Sequence, residues 1–313
     1  MPTAPRVSLR RAAVAATIAA ILLGACSRSE PGRRTIAVSI FPLYDITKRI
    51  AGDRADVQLV LPPGRTTHFF DPAPRESALV ARASIFFGVG LSLDGWMAKL
   101  VQATGGGRAQ VFEVGPLIDP RLVPEAILAL TDEAQGTSGA PPAPVMDPHF
   151  WLDPLRMQRT CDIVVDALRT FDPEGSPAYR ARAEEVKRSL AQLDEEARGR
   201  SVRWRGKRIV TAHGSLFYFS ARYGPEVVAV VEPVAGREPS PRYVARILSR
   251  IRETGAVAVF AENQLDKSPA QAIASESGVG LYELDTVGGL PSTDSYEALF
   301  RQILDVFDRT LVG

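Results

Sequence analysis

Eight short runs rich in β-branched and apolar residues punctuate the chain, and they fall into two sets of four. TIAVSI, VQLVL, SIFFGVG and AQVFEV come first, and RIVTA, VVAVV, AVAVFAE and GLYELD come second. Stretches of helical period separate the runs within each set. Strands alternating with helices pair as parallel sheets, because the crossover helix returns each strand in the same direction. Between the sets lies SPAYRARAEEVKRSLAQLDEEARGRSV, with Ser176 and Pro177 as cap and first-turn residues and good helix formers to about Arg200. It sustains no heptad repeat, which argues against a coiled coil. The pattern predicts an α/β fold with two lobes, each a parallel sheet flanked by helices, joined by one long rigid helix. The expected boundaries are 35–175 for the first lobe, 176–200 for the helix and 201–313 for the second.

The chain has 313 residues, of which 45% are hydrophobic and 23% charged, enough to bury the cores that two lobes require. Its first 25 residues read differently. Arg6, Arg10 and Arg11 precede an apolar run from Ala12 to Leu23, which has the length of a secretory signal and falls short of a membrane span. The run ends in LLGAC and resembles a bacterial lipoprotein signal, so Cys26 is the expected site of lipidation and the first residue of the mature protein. Residues 26–34 form a polar tether. Removal of residues 1–25 takes away three arginines and no acid, which leaves the +1 chain slightly negative. A chain of that charge has no electrostatic means of holding nucleic acid.

Cys161, the second cysteine, shares a helical face with Val164, Val165 and Leu168 and is read as a buried core thiol. Residues 131–147, TDEAQGTSGAPPAPVMD, lack any hydrophobic period and are expected to form a mobile loop.

Three histidines remain to be placed. His68 comes after the strand VQLVL in PPGRTTHFFDP, His149 after the loop in MDPHFWLDP, and His213 after RIVTA. Asp285 ends the GLYELD run. Open parallel sheets bind ligands outside the carboxyl ends of their strands, where three of these four residues stand. Three neutral imidazoles and a carboxylate fill a tetrahedral zinc shell, and nearby acids orient the rings. Asp71 and Asp153, each in an Asp-Pro pair, are candidates for that supporting role, with turn and helix-cap duties as the alternative. Glu262 in FAENQ is a hydrogen-bonded acid beside the cleft or, in an enzyme, a base.

The order FPLYDITKRIAG, LPPGRTTHFFDPAP, DPHFWLDP, TAHGSLFYFSARYG, EPSPRYVARI, FAENQ and LYELDTVGG resembles the zinc/manganese-binding solute-binding lipoproteins of bacterial ABC importers, over most of the chain from Thr35. The resemblance implies one metal ion in the cleft between two lobes, held by His68, His149, His213 and Asp285. The family usually has Asp where this chain has Gly214 and Pro where it has Thr286. The histidine-rich loop of many zinc-specific relatives is also missing from 131–147.

Together these features lead to the expectation of a lipid-anchored, extracytoplasmic, monomeric protein that captures a divalent cation and delivers it to an ABC permease and its ATPase. Zinc is favoured over manganese because three nitrogens suit a tetrahedral ion. The rival readings are a secreted zinc hydrolase, which would keep a water-bearing position beside Glu262, and a manganese-specific binding protein or adhesin on the same fold. No H-E-x-x-H motif supports the hydrolase.

Overall fold

The computed structural model describes residues 34–104, 109–131 and 144–312. The export signal, Cys26, nearly all of the tether and most of the 131–147 loop lie outside the described residues. No described helix is long and apolar enough to cross a membrane.

The first half runs β1 (Arg34–Val38), α1 (Phe41–Ala51), β2 (Ala55–Leu59), α2 (Pro74–Arg82), β3 (Ala83–Gly88), α3 (Trp96–Ala103), β4 (Gln110–Glu113), the one-turn α4 (Glu125–Leu128) and α5 (Pro154–Phe171). The long helix α6 spans Ser176–Ser201. The second half runs β5 (Arg208–His213), α7 (Phe217–Tyr223), β6 (Glu226–Glu232), α8 (Pro241–Thr254), β7 (Ala258–Glu262), α9 (Ser268–Ser277), β8 (Gly280–Leu284) and α10 (Tyr296–Leu311). All eight expected strands form, and the long helix ends within a residue of its expected stop.

Both sheets are parallel and share one topology, β2-β1-β3-β4 and β6-β5-β7-β8. Each therefore has a crevice where winding reverses, beside β1 in one and β5 in the other. Helices cover the sheet faces, so inner strands bury both sides: every residue of β7, AVFAE, is buried. Element ends obey local chemistry. At the start of α8, Ser240 accepts a hydrogen bond from the Tyr243 N–H, and the helix stops at Gly255, whose φ of 65° suits glycine.

Along α6 a stripe of Tyr179, Ala183, Val186, Leu190, Leu193 and Ala197 is buried at intervals of three and four. It packs against α5, α1 and α10. One core cluster accordingly runs from Ile36 in β1 to Leu311 in α10 and contains residues of both sheets. Arg222 of α7 adds a polar tie. It donates to Asp194 of α6 (Nη2 to Oδ2 2.7 Å) and lies 3.5 Å from Asp153 at the head of α5. Cys161 is fully buried on α5, where loss of solvation pushes its thiol up to about 12, so it is an inert core residue as expected.

Candidate metal centre

The three histidines reach one point from three separate segments. His68 sits in the loop after β2, which is pinned from below where the Trp96 indole donates to the Thr67 carbonyl at 3.0 Å. Phe70 turns inward and meets Trp96 edge to face, with ring centroids 5.0 Å apart. An aromatic neighbour of His68 in the sequence thus anchors its loop. His149 opens the short helical turn Phe150–Leu152, all three of whose residues are buried. His213 is the last residue of β5, at the carboxyl end of its sheet.

One nitrogen from each ring lies within 4.8 Å of the other two, and this is the group among the described residues that could hold a metal ion. Ring centroids are separated by 4.5 Å for His68 and His213, 5.0 Å for His149 and His213, and 5.6 Å for His68 and His149. His149 Nε2 faces His213 Nε2 at 3.3 Å.

Hydrogen bonds at the far side of two rings decide what those nitrogens present. His149 Nδ1 lies 2.8 Å from Asp147 Oδ1, which also accepts the His149 backbone N–H at 2.9 Å. A carboxylate there holds the proton on Nδ1 and leaves Nε2 with a free lone pair. His213 Nδ1 approaches the Glu232 carbonyl at 3.5 Å, an acceptor that favours the same tautomer. His68 Nε2 is buried with no hydrogen-bond partner among the described residues.

Burial keeps two of these rings neutral. It lowers His68 from 6.5 to about 2, with repulsion from His213 and His149 adding to the effect. His213 falls to about 3 by burial, then by His149, against a small opposing contribution from the Glu232 carbonyl. Two imidazoles held neutral by burial, with a His149 nitrogen converging on the same point, make a cation receptor.

The acids take different places. Asp285 is buried, and in the metal-free arrangement it stands outside the group of three rings whose nitrogens lie within 4.8 Å of one another. Its Oδ1 accepts from Gln264 (2.7 Å), Val287 N–H (3.1 Å) and Gly288 N–H (2.8 Å), and its Oδ2 accepts from Thr293 (2.7 Å). The turn that wraps it depends on Gly288 at φ 82°, where a Cβ would meet the Phe41 ring at 2.8 Å. Glu262 lines the histidine pocket, with Oε1 bonded to Ser215 and Oε2 to Thr286. Asp153 is the N-cap of α5, accepting from Leu155 N–H at 3.0 Å, and Asp71 is exposed. Among the described residues neither is hydrogen-bonded to a histidine ring. Asp147 stands behind the His149 ring, in the supporting place for which the sequence offered the Asp-Pro pairs after the histidines as candidates, with turn and cap duties as the alternative. The available signal was the same pair two residues before His149, in DPH.

The model of the family described as zinc-uptake complex component A, periplasmic (ZnuA) matches residues 36–310. Among curated proteins the chain is similar to the manganese-binding lipoprotein MntA of Halalkalibacterium halodurans, 28% identical over 302 residues that cover 93% of this chain and 94% of that one. It is also similar to the high-affinity zinc uptake system protein ZnuA of Bacillus subtilis, 23% identical over 305 residues, with 93% and 94% covered. A crystal structure of ZnuA superposes with a TM-score of 0.75 at 23% identity, over 89% of this chain and 99% of that one, which shows the shared fold. The chain belongs to the ZnuA family of periplasmic zinc-uptake components.

Proposed function

We propose that the protein captures a divalent cation outside the cytoplasmic membrane with His68, His149 and His213 and delivers it to an ABC permease powered by its ATPase. The observation that carries this reading is the 3.3 Å approach of His149 Nε2 to His213 Nε2. With both protons at Nδ1, the tautomers that the Asp147 carboxylate and the Glu232 carbonyl favour, two lone pairs face each other across this gap. A shared cation removes the repulsion. Two nitrogens bound tetrahedrally to zinc at about 2.0–2.1 Å stand roughly 3.3–3.4 Å apart, so the separation fits the ion.

Zinc is the favoured cargo and manganese the competitor. Three imidazoles suit a tetrahedral borderline ion, and the order of divalent affinities for nitrogen donors places zinc above manganese. Asp285 is assigned the fourth position through Oδ2, which takes one donor from the described residues where Oδ1 takes three. The protein carries out coordination and hand-over, with no reaction. Both oxygens of Glu262 are already engaged by hydroxyls, which leaves it poorly placed to serve a hydrolase as base.

The family and the lipoprotein name of MntA support an extracytoplasmic location with Cys26 as the lipid anchor. We assign residues 35–175 and 201–313 to two lobes joined by α6, acting as a monomer. Metal analysis of protein purified without chelator, with competition titration, tests the assignment. One zinc per chain, held against excess manganese, is expected; a metal-free protein that takes up neither ion contradicts it.

A further inference from the structure

Glu262, Thr286 and Trp151 connect the segments that carry the site. Glu262 ends β7 and is 7% exposed. Its Oε1 accepts from the Ser215 hydroxyl at 2.6 Å and its Oε2 from the Thr286 hydroxyl at 2.7 Å. Ser215 stands two residues after His213, and Thr286 comes directly after Asp285. Thr286 also reaches the other way. Its carbonyl accepts the Trp151 indole N–H at 2.7 Å, and Trp151 lies two residues after His149, with its ring centroid 5.2 Å from the imidazole. Trp151 is fixed in turn where its own carbonyl accepts the Tyr296 hydroxyl at 2.6 Å. Glu262, Thr286 and Trp151 line the same pocket as the three histidines.

We propose that Glu262 and Thr286 form a clamp that positions the His213, Asp285 and His149 segments against one another and so controls how fast the bound cation is released. The inference rests on the metal-binding reading of the site. Thr286 is the joint, since it bonds to one segment by its side chain and to another by its backbone. A proline in its place has no hydroxyl and could not bond to Glu262. Loss of that hydroxyl leaves Glu262 Oε2 unpaired and frees the 285–288 turn from β7. Groups that hold metal ligands in place commonly change affinity by 10–100-fold when removed, and within one site such changes fall mainly on dissociation.

The test is stopped-flow release of zinc into excess chromophoric chelator from the wild type, Thr286→Val, Thr286→Ser and Glu262→Gln. Valine keeps the methyl and shape of threonine without the hydroxyl, whereas serine keeps the hydroxyl without the methyl. The clamp predicts release about tenfold faster in Thr286→Val, faster release in Glu262→Gln, and a slow rate restored in Thr286→Ser. A packing role predicts the reverse order for valine and serine. Equal or slower release from Thr286→Val, or faster release from Thr286→Ser than from Thr286→Val, overturns the clamp while leaving the metal site intact. A wild type that takes up no zinc overturns both.

Discussion

His149 Nε2 and His213 Nε2 stand 3.3 Å apart, with the Asp147 carboxylate behind one ring and the Glu232 carbonyl behind the other. The two rings come from residues 64 positions apart, one from a helical turn and one from a strand end. The Asp147 carboxylate favours the His149 tautomer that turns a lone pair toward His213, and the Glu232 carbonyl, at 3.5 Å, favours the matching tautomer of His213. The behaviour of this protein as a cation receptor depends on that relationship.

Asp147→Asn removes the charge that fixes the His149 tautomer while keeping the size of the side chain. Zinc affinity should fall by about 10–100-fold, as it does for comparable carboxylate–histidine pairs. Competition titration against a chelator of known affinity measures it. Affinity equal to the wild type would show that Asp147 does not orient the ring.

The metal-free protein should lose stability as pH falls from about 7 to about 5. His68 and His213 are held neutral when folded, with values lowered to about 2 and about 3, while in the unfolded chain they titrate near 6.5. Between these limits the unfolded state binds more protons, so stability is present above about 6.5 and declines below it. The slope is on the order of 1 kcal/mol per pH unit for each group. Thermal melts of the wild type and of His68→Gln with His213→Gln provide the check. The double variant should show a flatter dependence across this range, and an identical slope would contradict the assignment.

Arg222→Ala should destabilise the fold by about 3 kcal/mol, because it leaves the buried carboxylates of Asp194 and Asp153 without their shared cation. Urea unfolding measures the change. A loss below about 1 kcal/mol would place the pair in the class of solvent-screened surface bridges.

His213→Glu exchanges a nitrogen ligand for a harder oxygen. Zinc should bind more weakly and the gap to manganese should narrow, because manganese favours oxygen-rich shells. Direct competition between the two ions on the wild type and the variant reads this out. A gap that widens would argue against His213 as a ligand.

The parallel sheets were legible because strands covered on both faces read as continuous apolar runs, as SIFFGVG and AVAVFAE do. The convergence of the histidines was also legible in part. His68 and His213 come after strands of the two sheets, and each parallel sheet takes ligands outside the carboxyl ends of its own strands. Asp147 was harder to see, since a carboxylate two residues before a histidine bonds to it only when the intervening Pro148 turns the chain back. The roles of Asp153 and Asp71 were undetermined for a related reason: Asp-Pro marks a helix cap, a turn or a ligand support alike, and burial chooses among them. The Thr286 joint had no local signature, as its partners Glu262 and Trp151 lie 24 and 135 positions away.

X-ray absorption at the zinc edge on the loaded protein tests the central claim most directly, because it counts the imidazoles on the ion. The expected result is a four-coordinate shell with three histidine nitrogens at about 2.0 Å and one oxygen, reduced by one imidazole in His149→Ala. A shell made mainly of oxygens, or one unchanged in His149→Ala, would contradict it.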